Sequence, residues 1–360
     1  MTATPHSIVI TALGALTPVG ANAEQSSAAI AAGMVRVNEH AYYECTPEDP
    51  EWDDTLPLYV SDVPLLDPFT DGLDRLLELA IPALTEVVAK AKLTRHDLDR
   101  CGLMLALPQA DQAIHPLNLP AQFIPELCRR TGLTTFNLWK TTQAGHTGVF
   151  TLLNSAIQKL SDGQLDACLV GGVDSYLLEE RLNLLDNTWR LRSDRTVDGF
   201  IPGEAAAFIL LETADHAKAR GAPILAHLGE LGEGHEPETL TSTKQSTGQG
   251  LAQAITSAMQ YNTGSPGVDT VYGSLNGESY YAFEWGVVLA RLHEGLEKIQ
   301  RLVCPSKNCG DVGAATGALL LACAANALHK KNHDKNAASL LWTSGDGGHR
   351  MALTLQPGPR

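Results

Sequence analysis

The turn AGHTG, at residues 144–148, holds a histidine, His146, at a place that could support chemistry. Apolar residues at i, i+3 and i+4 spacing predict a helix over 149–160, which begins directly after this turn. Free backbone N–H groups and the helix dipole stabilise negative charge at such a helix start. The turn is therefore a candidate place for a reactive group.

A second stretch repeats this order of features. The first copy continues with a polar loop, the apolar strand ACLVGGV and the pair Gly171-Gly172, and the strand suits burial on both faces of a sheet. The second copy has the glycine turn CGDVGAATG, an apolar helix, a charged loop, a strand and the pair Gly347-Gly348. This weak repeat predicts two similar halves packed against each other. It also predicts that Asp311 matches His146, each at the start of a buried helix.

The other elements follow from apolar periodicity and from turn residues. Strands are predicted at 7–10, 101–107, 204–212 (after a turn that starts at 199), 223–232, 268–275, 338–343 and 351–356, and helices at 23–32, 73–91, 121–131, 251–260, 281–292 and 314–329. Residues 36–70 are predicted to be an irregular surface excursion. We place the two halves at residues 1–220 and 221–360.

Composition argues against several functions. The chain has 360 residues, of which 44% are hydrophobic, so it can bury a large core. Its net charge of −15 argues against a nucleic-acid or anionic-membrane partner. The longest nearly apolar run, 314–325, is about half the roughly 20 residues that a membrane span needs, so we interpret it as a buried helix.

The cysteines indicate a reducing compartment. The seven are odd in number, scattered and without a CxxC motif. Cys168 and Cys323 lie in apolar runs and are predicted to be small core residues. The N-terminal MTATPHSIVI has no basic segment followed by an apolar stretch, so we predict no signal peptide and a cytoplasmic location.

Four blocks of the chain resemble the β-ketoacyl-acyl carrier protein synthases of the thiolase fold. They are ITALGALTPVG, LDACLVGGVDS, DRTVDGFIPGEAAAFILLE, and Lys307 followed by GDVGAATGA. The blocks occur in the family's order over roughly residues 8–355, and the third is the most distinctive. The resemblance implies an α/β fold with two βαβαβαββ halves in five layers, αβαβα. It also implies a dimer that forms through a central sheet edge.

The same resemblance implies a Cys-His-His site, from which this chain departs. Gly145 or His146 stands at the place of the reactive cysteine, depending on where one gap falls, and no cysteine lies between Cys128 and Cys168. Lys307 is the candidate for the family's lysine, although its spacing to Asp311 is one residue short.

The other family positions also hold different residues. The turn Asn276-Gly277-Glu278 stands where the family has an HGT turn, and Asp311 stands at the second histidine. Asp346 stands where a phenylalanine gates the family's acyl pocket. An unpaired buried carboxylate is costly, so an apolar acyl tunnel is not expected here.

The substituted residues leave two kinds of chemistry open. Condensation needs a thiolate and two neutral imidazoles, and an ionised Asp311 would repel a developing oxyanion, whereas Asn276 could still donate a hydrogen bond. The helix dipole predicts a neutral His146. Beside Asp311 and Glu278, a neutral imidazole could act as a general base or bind a metal with them. In the structural interpretation, which we favour, Asp311 satisfies backbone donors at a helix start and His146 is a hydrogen-bonded turn residue.

Three further features receive structural interpretations. Glu204 is predicted to make a structural hydrogen bond, and Tyr281 and Trp285 to be core or interface residues. The tract HKKNH at 329–333 is predicted to be a charged loop and not a metal site. The arginines at 181, 190, 192 and 195 could dock an acidic acyl carrier, form a solvated face or contact a dimer partner.

Three functions remain. The first, which we favour, is a β-ketoacyl synthase-like scaffold or partner subunit that is inactive in condensation. It would form a homodimer, or a heterodimer with a related synthase or an effector protein of a secretion system. The second is a rewired thioester or ester enzyme that uses His146, Asn276, Glu278 and Asp311. The third is a non-catalytic acyl or phosphopantetheine binder, with an acyl carrier protein as its partner. No cofactor and no metal are expected.

Overall fold

The computed structural model describes residues 7–48, 54–133, 136, 138–260, 268–330 and 338–358. The strands are β1 (Ile8–Leu16), β2 (Asn38–Cys45), β3 (Leu56–Val60), β4 (Cys101–Ala106), β5 (Leu138–Thr142), β6 (Ala167–Ser175), β7 (Glu204–Thr213), β8 (Ala226–His235), β9 (Val268–Gly273), β10 (Arg301–Val303), β11 (Ala338–Ser344) and β12 (His349–Pro357). The helices are α1 (Ala23–Ala31), α2 (Gly72–Ala91), α3 (Arg95–Asp99), α4 (Leu119–Thr131), α5 (Gly148–Ser161), α6 (Glu179–Asn187), α7 (Ala214–Ala219), α8 (Gln249–Gln260), α9 (Ser279–Arg291), α10 (His293–Leu296), α11 (Ser306–Cys309) and α12 (Thr316–Lys330). Short 3-10 turns lie at His115–Leu117, Gly145–Thr147 and Gly313–Ala315.

The strand order confirms the predicted duplication. Within the described residues, ten strands follow the order β10-β9-β11-β12-β8-β1-β7-β6-β4-β5. In the first half β4 is parallel to β5 and β6, and β7 is antiparallel to β6 and β1. In the second half β9 is parallel to β10 and β11, and β12 is antiparallel to β11 and β8. The halves therefore share one order and one set of strand directions, and β1 and β8 join them through the pairs Val9–His227 and Ile10–Ala226.

The apolar clusters confirm the five layers. The largest cluster lies between the two sets of strands and contains the buried faces of α5 and α12. A second cluster packs α2 and α4 on the outer face of the first half. A third packs α8 and α9 on the outer face of the second half. The order is therefore helices, strands, central helices, strands and helices, as a thiolase-like fold requires.

The central helices occupy this position because of their sequences. α12 is apolar around its circumference, and every residue from Thr316 to Ala325 is buried, as expected for a helix enclosed on all sides. Strand β6 is buried along its whole length. Gly172 in β6 allows a close approach, since a Cβ there would lie 2.2 Å from the backbone oxygen of Ala314. The strand of one half thus contacts the turn that precedes the central helix of the other.

Some elements differ from the prediction. Residues 36–70 are not irregular throughout, because β2 and β3 form a two-stranded antiparallel sheet there. β5, β10 and α7 were not predicted, since β5 (LWKTT) is a mostly polar edge strand and β10 has only three residues. The glycine pairs of the repeat do not correspond either. Gly171-Gly172 lies inside β6, whereas Gly347-Gly348 lies in the turn between β11 and β12.

The remaining predictions concern the boundary between the halves, the cysteines and membrane-spanning helices. The proposed boundary at 220/221 falls between α7 and β8. The seven cysteines are free, and Cys168 and Cys323 are buried as predicted. Across the described ranges, no helix has the length and apolar character needed to cross a membrane.

Candidate functional site

His146 lies at the start of the central helix of the first half. The 3-10 turn Gly145–Thr147 connects strand β5 to α5, and His146 is only 3% exposed. Gly145 has a φ of 54°, a left-handed conformation that favours glycine. A Cβ at Gly145 would lie 2.7 Å from Oε1 of Gln109, which is the end of a flexible side chain. The left-handed backbone is therefore the constraint that favours glycine directly before the histidine.

The two turns match in a register that differs from the predicted one. The corresponding turn of the second half, Gly313–Ala315, also begins with a glycine in a left-handed conformation, with a φ of 47°. Gly145 therefore matches Gly313, and Asp311 precedes the matching position by two residues. The predicted equivalence of His146 and Asp311 is wrong, although the two side chains do meet.

His146 and Asp311 form a buried pair between the halves. Nε2 of His146 lies 2.7 Å from Oδ1 of Asp311, and both side chains are almost fully buried. The same Oδ1 accepts a hydrogen bond from the backbone N–H of Gly313 at 2.9 Å, and Oδ2 accepts one from Nδ2 of Asn276 at 2.9 Å. Asp311 thus satisfies a backbone donor of the turn before α12, which is the structural role predicted for it.

The block DGFIPGEAA positions the backbone of Asp311. The backbone N–H of Asp311 donates to the carbonyl of Ile201 at 2.8 Å. The carbonyl of Asp311 accepts a hydrogen bond from the N–H of Gly203 at 2.9 Å. The first half therefore supplies both the histidine and the backbone segment against which the aspartate is fixed.

The ion pair overturns the predicted protonation of His146. Burial alone would lower the pKa of His146, but the charge of Asp311 and its hydrogen bond outweigh burial and raise that pKa to about 9. Burial would raise the pKa of Asp311, and the charge and hydrogen bond of His146 instead lower it to about 2. At neutral pH the site therefore contains an imidazolium and a carboxylate. A helix dipole is too weak to reverse this contact, and a protonated imidazole cannot accept a proton as a general base.

The polar contacts continue outward from Asp311. Asn276 also donates from Nδ2 to Oε2 of Glu278 at 2.8 Å. Arg190 donates to both oxygens of Glu278, from Nε and from Nη2, each at 2.8 Å. Its Nη1 donates to Oδ2 of Asp346 at 2.8 Å. We name this connected set of His146, Asp311, Asn276, Glu278, Arg190 and Asp346 the interhalf network.

The outer end of the interhalf network is also neutralised. Burial would raise the pKa of Asp346, but Arg190 and then His146 oppose it and lower that pKa. The hydroxyl of Tyr281 donates to Oδ1 of Asp346 at 2.5 Å. Asp346, which stands at the predicted gate position, is thus paired with an arginine from the other half. The predicted core position of Tyr281 is confirmed, as is that of Trp285, which stacks on Trp342 with centroids 5.1 Å apart.

Lys307 lies outside the interhalf network. It is on α11 with an exposed side chain, whereas Gly145, His146, Asn276, Glu278, Asp311 and Asp346 are buried or half-buried around the network. In the described part of the chain, no group of three or more His, Cys, Asp or Glu side chains is arranged to hold a metal ion. Of the tract at 329–333, positions 331–333 lie outside the described residues.

Arg190 is the network residue whose role the sequence did not reveal. Its partners Glu278 and Asp346 are 88 and 156 positions away, so no local spacing could identify them. The other arginines of that segment are also used internally, with the exception of the exposed Arg192. Arg181 pairs with the buried Asp174, and Arg195 pairs with Asp186 at 2.6 Å. The idea that these four arginines dock an acyl carrier is therefore wrong for three of them.

Glu204 has the structural role predicted for it. It is fully buried and accepts hydrogen bonds from Nε and Nη2 of Arg75 at 2.7 and 2.9 Å. It also accepts from the hydroxyl of Ser175 at 2.8 Å and from the backbone N–H of Val63 at 2.9 Å. Its carboxylate is fully occupied, so it is not available as a base.

Comparisons with known proteins support the family resemblance. Residues 141–217 match the family described as "Beta-ketoacyl synthase, N-terminal domain". A putative polyketide β-ketoacyl synthase 1 of Streptomyces halstedii is 27% identical over 242 residues, which cover 54% of this chain and 56% of that protein. The chain thus aligns with only about half the length of this curated relative.

Two solved structures share the fold over almost the whole chain. One is a type II polyketide synthase acyl-carrier protein in complex with its ketosynthase, with a TM-score of 0.79 and 17% identity, and the match covers 99% of this chain and 100% of the other. The other is the ishigamide ketosynthase/chain length factor, with a TM-score of 0.76 and 17% identity over the same shares. At this identity the likeness shows the fold alone, which is the predicted thiolase-like fold.

Proposed function

Since this chain belongs to the β-ketoacyl synthase family, we propose that it is a partner subunit that does not itself catalyse condensation. The observation that carries the proposal is the interhalf network. It fills the expected place of the Cys-His-His residues with paired charges and contains no thiol.

The charge state of the site supports this proposal over a rewired enzyme. Condensation stabilises negative charge on an enolate or thioester oxygen, and the network would oppose that charge because the carboxylates of Asp311, Glu278 and Asp346 outnumber the two cationic side chains that pair with them. His146 is protonated and already hydrogen-bonded to Asp311, so it lacks the free lone pair that a base requires. The same ionic groups are a poor lining for an acyl chain, which disfavours the acyl-binder hypothesis.

We propose a related, active β-ketoacyl synthase as the partner. The specific support is that one structural relative is a ketosynthase/chain length factor. The contact surface proposed is the edge strand β5, which lies at one end of the sheet and exposes Trp139 by 47%. An edge strand presents unpaired backbone groups that can pair with another chain. An effector protein of a secretion system has no comparable support.

The first experiment measures condensation. The purified chain is incubated with an acyl-carrier-bound acyl chain and a malonyl-carrier extender, with an active β-ketoacyl synthase as positive control. We expect no β-ketoacyl product from this chain. Turnover that His146→Gln abolishes would refute the proposal and establish a rewired site.

The second experiment measures pairing with an active β-ketoacyl synthase from the same genome. Co-expression should give a heterodimer by light scattering, and Trp139→Glu should remove it. Tyr59→Glu is the matched control, because Tyr59 is an aromatic residue on strand β3 with a similar exposure of 48%. A heterodimer that Trp139→Glu leaves intact would contradict the β5 contact, and the absence of any complex would contradict the partner role.

We retain the division into halves, 1–220 and 221–360, as part of the proposal. Each half would supply one side of the interhalf network, with His146 and Arg190 from the first and Asp311, Glu278 and Asp346 from the second. The network would then hold the halves in one relative position while a partner binds at β5.

A further inference from the structure

The segment 36–71 carries most of the negative charge of the chain. It has ten carboxylates, one arginine and no lysine, so its 36 residues hold nine of the fifteen net negative charges of the 360-residue chain. The one arginine, Arg36, already pairs with Asp62 at 3.4 Å. Burial and then the charge of Arg75 lower the pKa of His40, so this histidine adds no positive charge at neutral pH. The basic residues of the segment therefore do not neutralise it.

The same segment exposes large apolar side chains. Phe69 is exposed by 74%, Leu65 by 71% and Tyr42 by 43%. The rings of Tyr42 and Phe69 stack, with centroids 5.5 Å apart and an angle of 9° between their planes. Tyr42 therefore covers one face of the Phe69 ring and leaves the other face open to solvent. Exposed aromatic rings do not improve solubility, so their concentration in this segment indicates a contact surface.

The fold holds the Tyr42 ring in this position. The pairing of β2 with β3 is interrupted at residues 40–43, so this part of β2 bulges away from β3. Nδ1 of His40 accepts a hydrogen bond from the backbone N–H of Tyr43 at 3.0 Å. The ring of His40 packs edge-on against Tyr42, with centroids 4.7 Å apart. The aromatic stack is thus formed before a partner binds, which lowers the entropy cost of binding.

Two carboxylates from other segments lie beside the stack. Burial and then the charges of Asp71 and Glu179 raise the pKa of Tyr42, so both carboxylates are close to this residue. Asp71 directly precedes α2, Glu179 begins α6, and both are exposed. We name Tyr42, Phe69, Asp71 and Glu179 the acidic aromatic face.

The basic side chains next to the acidic aromatic face are already paired. Arg75, in the first turn of α2, is buried and pairs with Glu204 at 2.7 Å. Arg130 reaches the same turn, where it pairs with Asp74. Arg195, which follows α6 in the chain, forms an ion pair with a residue of that helix. These bases are therefore not available to cover the acidic aromatic face.

We propose that the acidic aromatic face binds a basic segment of a protein partner, with an arginine of that segment on the open face of Phe69. A planar guanidinium can stack on an aromatic ring and donate to a neighbouring carboxylate at the same time, and here Asp71 and Glu179 supply the carboxylates. Charge complementarity selects this partner, because a second copy of this chain would present the same negative charge. No residue of the acidic aromatic face is on β5, so the inference does not depend on the proposed function.

Fluorescence anisotropy with the full chain and labelled peptides tests the chemistry of the partner. The probe is a short unstructured peptide of alternating arginine and glycine, and the comparison peptides replace each arginine by lysine or by uncharged citrulline. We expect the arginine peptide to bind more tightly than the lysine peptide, and the citrulline peptide not to bind. Added salt should weaken binding. Equal binding of the arginine and lysine peptides, or no binding of either, would overturn the proposal.

Substitutions then test the position of the contact. Phe69→Ala should weaken binding of the arginine peptide by about two- to five-fold, the range for an exposed cation–π contact. Phe283→Ala is the matched control and should leave binding unchanged, because Phe283 is exposed by 43% but lies on α9 of the other half. Circular dichroism should show that both variants fold. Wild-type affinity in folded Phe69→Ala, or an equal loss in the two variants, would overturn the proposal.

Sedimentation distinguishes a second copy of this chain as the occupant. Phe69→Lys changes the charge of the acidic aromatic face, and we expect the mass at high protein concentration to equal that of wild type. A fall in mass for folded Phe69→Lys would assign the face to a second copy and would overturn the proposal.

Discussion

Replacing His146 by glutamine should remove a pH-dependent part of the protein's stability. In the native protein the imidazole is buried against Asp311, and its pKa is raised from near 6.5 to about 9. The folded state therefore binds the proton more tightly than the unfolded chain does. A raised pKa contributes stability that is fully present below pH 6.5 and is lost as the pH rises through 9.

The size of this contribution follows from the two pKa values. A change from 6.5 to about 9 corresponds to about 3 kcal/mol of unfolding free energy. Exposed ion pairs contribute about 0–1 kcal/mol, so the burial of His146 and Asp311 distinguishes this pair. The lowered pKa of Asp311 reflects the same interaction with His146, so it adds no second contribution to the unfolding free energy.

Urea unfolding, followed by tryptophan fluorescence at several pH values on both sides of 6.5 and 9, measures the effect. We expect the difference in unfolding free energy between wild type and His146→Gln to shrink by about 3 kcal/mol across this range. Taking the difference between wild type and variant cancels the contribution of the other titrating groups to the unfolding free energy. The matched control is His349→Gln, because His349 forms an exposed pair with Glu233 at 2.8 Å and should change stability by less than about 1 kcal/mol.

Two results would refute this reasoning. Parallel pH profiles for wild type and His146→Gln would show that the imidazole does not change its proton affinity on folding. A nuclear magnetic resonance titration of the His146 ring with a midpoint below 6.5 would show that burial outweighs the carboxylate. Either result would restore a neutral histidine and with it the general-base hypothesis.

The remaining predictions concern the contacts between the halves. Arg190→Met leaves the carboxylates of Glu278 and Asp346 without their arginine. It should lower the unfolding free energy by about 3–5 kcal/mol, measured by urea unfolding. A loss below about 1 kcal/mol would mean that solvent already screens these charges. Gly172→Ala forces a Cβ against the backbone oxygen of Ala314. It should lower the unfolding free energy by about 1–3 kcal/mol, which is visible as a lower melting temperature. An unchanged melting temperature would contradict the close approach of β6 to the second central helix.

The fold was largely predictable because its determinants are local and repeated. Apolar periodicity predicts α5, and the long apolar run predicts that α12 is a buried helix. β5 was missed because LWKTT has no apolar pattern, and its strand conformation comes from its backbone pairing with β4. β2 and β3 were missed for a related reason. Their short pairing lies at the surface, where little hydrophobic patterning is needed.

The sequence alone predicted that a thiol and two imidazoles are missing from the family positions. It also determined the helix start that holds His146, because composition and local spacing are readable without a structure. Only the tertiary structure decided the charges. His146 meets Asp311 across 165 positions, and the field of that carboxylate, in a buried site, reverses the protonation that the helix dipole alone predicts. Arg190 likewise gains its role from partners in the other half. Long-range electrostatics depends on distances that folding sets, and no local pattern contains them.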